Sequence, residues 1–495
     1  MDFLDPKRKK SHRRRLLLGY LLMAVAVAMG TLILLFSAYG FDINRKTGDV
    51  IQNGTVFVDS QPAGSNITLN GTPQGSRTAS RLVLPGSQQY TISLSQAGYR
   101  DWNRTFSLEG GKIERLVYPL MLPSKLITTE AQLYASAPAI SSQSPDRRWL
   151  LIEQPGQVYG FDLYDLNNPS SAPTTLTIPA NILTEADKPA SLNVVEWSND
   201  NKHVLIERAF NNGVTDTHEF LMIDTTQVAS SININTTLTV SPAKISLRDK
   251  KPDLLYMYDS TGGILRLGDL KNRTVSGALL SNILAYKSYG TELLLYATRE
   301  GAAAGKTNLR IRENDKATYL LKSVPDSPDY LLDIAESDGT PYYVVGSSQD
   351  DAVFVYRDPL PTLKGQSQFP LFVSAVLRIT APKFVSFSQN TKFIVAQSGN
   401  KLVLYDIEAD RQYKLGLNHE IGSKLAWMDG FRFSFVDKSI SFMVDFDGSN
   451  EQAIVPSLVA NGPYFAPDFK TVFSLADSKV VSGRFALTQT SLVKK

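Results

Sequence analysis

The 495-residue chain contains no cysteine. Disulfides, thiolate nucleophiles, iron–sulfur clusters and cysteine zinc sites are therefore excluded, although the redox compartment stays open. An excess of charge is also lacking: 51 Lys and Arg face 48 Asp and Glu, for a net charge of +3. Seven of the cations (Lys7, Arg8, Lys9, Lys10, Arg13, Arg14, Arg15) fall within the first fifteen residues. That leaves 44 basic residues (51 less 7) against 46 acidic ones (48 less Asp2 and Asp5) in the remainder. A nucleic-acid-binding surface needs a concentrated basic footprint, so no nucleic acid partner is expected. Histidine is scarce, and neither His218-Glu219 nor His419-Glu420 is followed by the second histidine of a zinc protease helix. No G-x-S-x-G elbow is present, and Gly301-Ala302-Ala303-Ala304-Gly305-Lys306-Thr307 falls one residue short of a phosphate-binding loop. It reads as a hairpin tip. No metal, cofactor or catalytic residue is expected.

What is present begins with an apolar run. From Leu16 to Phe41 no residue is charged. About 20 apolar residues cross a bilayer, so residues 16–41 are expected to form one transmembrane helix in contact with the lipid bilayer. The basic segment 1–15 precedes it, and mixed charges (Asp42, Arg45, Lys46, Asp49) follow. This asymmetry predicts a cytoplasmic N-terminus and an extracytoplasmic body at the cytoplasmic membrane. A cleaved signal peptide has an apolar core of about 7–15 residues and a small-x-small site. This run is longer, and Ser37-Ala38-Tyr39 is a poor cleavage site. Residues 42–53 read as a polar tether.

Over residues 54–123 the periodicity changes to two, the strand period. Thr55–Val58, Ile67–Leu69, Tyr90–Leu94 and Thr105–Leu108 alternate between turns at Pro62-Ala63-Gly64, Asn70-Gly71, Pro85-Gly86 and Gly110-Gly111. Asn70-Gly71 suits a primed hairpin turn, since both residues tolerate positive φ. Val58, Ser60, Pro62, Gly64, Asn70-Gly71, Gly75, Leu84-Pro85-Gly86, Tyr90 and Gly98-Tyr99 resemble the frame of the PEGA domain. The naming turn reads Pro62-Ala63-Gly64-Ser65, without the acidic residue and the final Ala. The resemblance implies a small extracytoplasmic β module and carries no catalytic residues. Tyr99 and Trp102 are candidates for an exposed contact patch, against the simpler reading that Tyr99 covers the sheet end and Trp102 packs at its margin.

Residues 124–495 repeat one unit: a polar turn, an apolar strand, a second turn and a second strand. Ser144-Pro145-Asp146-Arg147-Arg148 before Trp149–Ile152 is the clearest copy, and Trp197–Asn201 and Phe387–Thr391 are looser ones. The last copy pairs Phe465–Phe473 with a strand at Val480–Phe485, and a strand around Ala131–Ser136 is expected to complete the last blade. Turns near residues 146, 200, 249, 291, 340, 390, 430 and 468 recur at a spacing of roughly 46 residues, within the range of a four-stranded propeller blade. A parallel α/β fold needs helical runs between strands, and none is evident. The expected fold class is thus all-β outside the membrane helix: a small antiparallel domain plus a β-propeller of eight blades, with seven as the alternative. The SPDGR-like turns and LYDL-like strands resemble TolB-type and WD40-like propellers, which implies a rigid binding scaffold.

Within that body, Asp445-Phe446-Asp447-Gly448 is tested as a calcium loop. Its Gly stands fourth rather than sixth, so a hairpin turn is the better reading. The recurring acids Asp146, Asp200, Asp253, Asp429 and Asp468 are expected to cap their own turns. His203 and His218 flank neighbouring strands of one copy and are candidates to approach across a sheet. The functional expectation is a membrane-anchored binding or scaffold protein presenting its propeller to an envelope protein or glycan. The alternative is a glycan hydrolase whose carboxylates meet at the central channel. Convergent Asp and Glu there indicate the enzyme; aromatic and mixed polar residues indicate recognition.

Overall fold

The computed structural model describes residues 6–43, 48–157, 159–185, 190–211, 213, 216–314, 317–419, 421, 425–458 and 462–494, with backbone alone for 6–12. The side chains of Lys7–Lys10 and His12, the stretch Asn44–Lys46, and Glu420 lie outside the described residues. The chain divides into two compact units, Met1–Lys125 and Leu126–Lys495.

In the first unit one helix spans Pro6–Ala38. Its segment Arg13–Ala38 has a mean hydropathy of 2.4, is wholly unburied by protein, and is long and apolar enough to cross a membrane. The helix stops three residues short of the expected Phe41. Gly40 adopts φ +75°, and the chain turns into a strand, Phe41–Ile43. That strand pairs antiparallel with Val50–Gln52, so the expected tether over 42–53 is corrected: most of its described part is sheet. Its polar composition concealed the pairing, which satisfies backbone groups as in the 2.7 Å bond from Asn53 N to Gly40 O.

Two four-stranded sheets follow. One contains Phe41–Ile43, Val50–Val58, Ser80–Pro85 and Ile113–Leu116; the other contains Thr72–Arg77, Asn66–Leu69, Gln88–Ser95 and Trp102–Leu108. Strict alternation along Trp102–Leu108 turns Trp102, Arg104, Phe106 and Leu108 inward. Trp102 is only 1% exposed and meets Tyr118 edge-on at 5.9 Å. It is a core residue, so neither an exposed patch nor a marginal position describes it. Arg104 is buried beside it, stacks on Tyr118, donates to the Tyr118 hydroxyl and lies 3.5 Å from Glu114 on the other sheet. The Asn70-Gly71 turn forms as expected, at φ 48° and 79°. At Gly86 a Cβ would come within 2.4 Å of Gly110 and 2.5 Å of the Gln52 carbonyl, so no side chain fits. Ser65, standing where the PEGA turn ends in Ala, is fully buried, and its hydroxyl is satisfied by Ser60 and Gln96 at 3.0 Å each.

The second unit is a β-propeller. Its described residues form a succession of four-stranded antiparallel sheets. Their first strands are Ser141–Gln143, Ala190–Trp197, Lys244–Leu247, Ile283–Tyr289, Tyr330–Ser337, Phe384–Phe387, Ala426–Trp427 and Tyr464–Phe465, and the sheets are numbered 1 to 8 in that order. Each repeat read in the sequence supplies the second and third strands of one sheet. These middle strands are buried on both faces, which is why Leu150-Leu151-Ile152 and its counterparts are continuously apolar. Sheet 8 takes its fourth strand from the start of the unit: Ile127–Tyr134 pairs with Phe485–Ser491. This closing strand was expected near 131–136. Residues 480–484, expected as a strand, form a turn instead, with the Ser478 hydroxyl accepting from the Val480 and Val481 amides and Gly483 at φ +74°.

The turn between first and second strands uses one device repeatedly. In sheet 1, Asp146 Oδ1 accepts from Arg148 N at 3.0 Å, and the buried Ser144 Oγ accepts from Trp149 N at 2.9 Å. Asp200 with Ser198, and Asn390 with Ser388, make the same contacts in sheets 2 and 6. Asp429 and Asp468 likewise accept from the amides two residues on. Asp146, Asp200, Asp429 and Asp468 are therefore caps, whereas Asp253 engages through its backbone carbonyl, which accepts from Leu270 N at 2.8 Å. The position that an SPDGR-type turn gives to glycine is held here at positive φ by Arg147, Asn201 and Thr391. The repeat is degenerate at the residue best suited to its own backbone.

Candidate functional site

The first strands carry side-chain links from sheet to sheet. Trp197 Nε1 donates to Ser142 Oγ and Trp427 Nε1 to Ser386 Oγ, both at 3.0 Å, one device used at two junctions. Glu196 accepts from the Leu247 amide, Ser246 Oγ and Tyr286 OH stand 2.8 Å apart, and Lys287 Nζ lies 3.0 Å from Asp333. Asp333 also accepts from Phe387 N at 3.3 Å. Sheet 1 reaches sheet 8 through Gln143 Nε2 to the Phe465 carbonyl at 2.8 Å and Ser141 Oγ to Tyr464 OH at 2.7 Å.

Between the first strands of sheets 2 to 5 lies an open recess of about 680 Å³. Glu196 borders it from sheet 2; Lys244, Ser246, Asp249, Lys250 and Tyr258 from sheet 3; Leu284, Tyr286, Lys287 and Tyr289 from sheet 4; and Ile334 from sheet 5. Tyr286 packs against Tyr258 at 6.3 Å and Tyr256 at 5.9 Å. Burial pushes the Tyr286 phenol up to about 12 even though Ser246 hydrogen-bonds to it, and burial followed by the nearby Glu336 charge raises Tyr289. Both phenols are neutral at physiological pH and offer aromatic faces and hydroxyls rather than a base.

Carboxylates in and beside the recess are engaged. Glu196 accepts the Leu247 amide on one oxygen and pairs with Lys250 on the other. Asp333 accepts the Ile334 amide and Lys287 on Oδ1, and the Phe387 amide on Oδ2. A glycosidase needs one protonated and one ionised carboxyl facing the scissile bond. Here Glu196 and Asp333 are tied to lysines and backbone amides, and Asp249 lies 3.1 Å from Lys251. The recess lining is aromatic and mixed polar.

The structure separates the candidates singled out in the sequence. His203 pairs across the sheet with Asp224, and His218 with Ala209, six positions away along the strand, or roughly 20 Å. His203 bonds to Asp200 at 2.7 Å and His218 to Glu207 at 2.7 Å, so they do not meet. His419 is held by both ring nitrogens, Nδ1 to Asp437 at 2.8 Å and Nε2 to Glu451 at 3.0 Å. Among the described residues no group of three or more His, Asp or Glu is arranged to hold a metal ion. Asp447 Oδ1 accepts from Ser449 N at 3.1 Å, and the buried Asp445 bonds to Asn450 at 2.9 Å, so this segment is a hairpin turn. Thr307, in the near-miss phosphate motif, is buried on a strand with its hydroxyl 2.8 Å from Asp326. Most residues of the recess escaped the sequence reading because they lie on first strands, outside the two strands that define the repeat.

Comparison with known proteins adds one assignment. Residues 53–122 match the PEGA domain. No curated protein matches the chain. Solved structures similar to it include the Dos1 propeller, 12% identical, with 74% of this chain and 94% of that chain covered at a TM-score of 0.42. An oligogalacturonate lyase in complex with manganese is 10% identical, with 75% and 98% covered at 0.39. Hsv2p of Kluyveromyces lactis is 10% identical, with 65% and 98% covered at 0.38. At these values the sheet topology, rather than the likenesses, carries the description of the second unit. Residues 53–122 are a PEGA domain, and the chain beyond it is a β-propeller.

Proposed function

We propose that the protein is a membrane-anchored, extracytoplasmic scaffold whose propeller, of eight blades and TolB-like descent, binds an envelope protein or glycan at the recess between sheets 2 and 5. In this reading Arg13–Ala38 is an uncleaved signal-anchor in the cytoplasmic membrane, oriented by the basic residues before it. The observation that carries the binding role is the recess lining: three tyrosines and three lysines, with Glu196 already bound to Lys250 and the Leu247 amide. Such a surface supplies stacking area and hydrogen-bond donors without a poised acid–base pair. Photo-crosslinking in cells from position 284 or 244, followed by mass spectrometry, tests it. One reproducible protein or glycan adduct, lost on Tyr286→Ala, is the expected result. Turnover of a glycan that is abolished by Glu196→Gln would instead favour the hydrolase.

A further inference from the structure

Where the helix leaves its span, the fold leaves four apolar side chains exposed: Tyr39 at 68%, Phe41 at 37%, Ile43 at 56% and Val50 at 60%. Their arrangement is ordered by strand pairing. Ile43 stands opposite Val50 and Phe41 opposite Gln52. Alternate residues of a strand share a face, so Phe41, Ile43 and Val50 lie on one side and Asp42 on the other. The Phe41 ring stands 5.2 Å from Phe36, a residue inside the apolar span. The face bearing Ile43 and Val50 is therefore the one turned toward the flank of the helix.

Little slack separates this hairpin from the helix. Asn53 N donates to the Gly40 carbonyl at 2.7 Å, and Gln52 Nε2 to the Tyr39 carbonyl at 3.1 Å. At about 1.5 Å per residue, Leu16–Ala38 measures roughly 35 Å, a little more than the roughly 30 Å hydrocarbon core of a bilayer. Ala38 then falls at the outer edge of that core, and Tyr39 to Ile43 fall in a headgroup zone about 5–7 Å deep. Aromatic residues favour that zone, and apolar side chains turned toward it are withdrawn from water.

We propose that Phe41, Ile43 and Val50, with Tyr39 beside them, form a foot that rests in the outer interface of the same bilayer the helix crosses. The occupant of this apolar face is lipid. The inference rests on the reading of Arg13–Ala38 as a membrane anchor. Its consequence is that the PEGA domain is braced against the membrane through its own first strands rather than hung on a flexible linker.

The absence of cysteine makes the test direct. Single cysteines at Ile43, Val50, Val27 and Ser107 of the full chain are labelled with an environment-sensitive fluorophore after reconstitution in lipid nanodiscs. Positions 43 and 50 are expected to be quenched several-fold more than position 107 by lipids spin-labelled near the headgroup, and position 27 by lipids labelled deep in the acyl chains. Quenching at 27, with 43 and 50 behaving like 107, overturns the foot and leaves the anchor standing. If position 27 is also unquenched, the anchor reading falls and the foot with it. Positions 43 and 50 shielded from an aqueous quencher yet untouched by lipid quenchers mean that protein covers the face, which also overturns the proposal.

Discussion

The PEGA domain and the propeller differ in how far their polar side-chain bonds are distributed. In the PEGA domain they are gathered into its single interior, where Arg104 lies among Trp102, Tyr118 and Glu114, and Ser60, Ser65 and Thr78 share one cluster. The propeller has such a cluster too, with Arg208, Glu219 and Asn233 buried together in sheet 2, but it also carries side-chain bonds that join most first strands to the next. Concentration makes a small core dependent on every member. Distribution makes each link minor and closure of the circuit decisive.

The contrast is broken most severely at the closure. Deleting Ile127–Tyr134 removes the fourth strand of sheet 8 and exposes the strand edge of Phe485–Ser491. Calorimetry of the full chain should show the cooperative transition of the second unit lost while that of the first remains. An unchanged second transition would mean that closure is not what holds the ring. Next comes Trp102→Ala in the PEGA domain, which empties a fully packed site and strips cover from Arg104. A loss of about 3–5 kcal/mol is expected in denaturant unfolding of the first unit.

A tryptophan of the propeller should behave differently. Trp197→Phe and Trp427→Phe each remove one Nε1–serine bond and keep most of the ring, so each should cost about 1 kcal/mol. The double variant should cost roughly the sum, since the two junctions share no partner. A combined loss far above the sum would show that the links act as one circuit.

The smallest expected effect is one of pH. Burial tends to push the His419 imidazole down, but hydrogen bonds to Asp437 and Glu451 outweigh it and hold its pKa above the ordinary histidine value. A folded-state pKa above the unfolded one means that the protonated ring stabilises the fold. That contribution is complete below the unfolded value of about 6.5 and is lost as pH rises through the folded value. The melting temperature of His419→Gln should fall below that of the parent at about pH 5.5 and approach it at about pH 8.5. An equal deficit at both would show that His419 acts by packing on Phe435 and Phe442, 5.4 Å and 4.2 Å away, rather than by charge.

Much of the architecture was legible because it is written locally. A charge-free run long enough to span a bilayer core, a primed turn at Asn70-Gly71, and capped turns before several apolar second strands are each decided within a few residues. Trp102 was misplaced because alternation reveals which residues share a face, whereas packing decides which face is inside. Arg104 shares its face, so the strand read as less apolar than its position is. The 42–53 stretch was misread for a related reason: a strand of three residues, joined by a polar connection to the start of the next, carries too little pattern to stand out.

The sequence by itself determined the membrane-length helix, the PEGA domain, the repeat and the strand that closes it, because turn chemistry, hydrophobic period and segment length act over short stretches of chain. Only the tertiary structure decided the recess and the apolar foot. Glu196, Lys244, Tyr286 and Ile334 are far apart in sequence and meet because closing the ring brings successive first strands edge to edge. Phe41, Ile43 and Val50 become one surface because a strand pairing sets their register and Phe36 fixes the side they face. Contacts between distant segments depend on how elements pack, and no spacing along the chain encodes that.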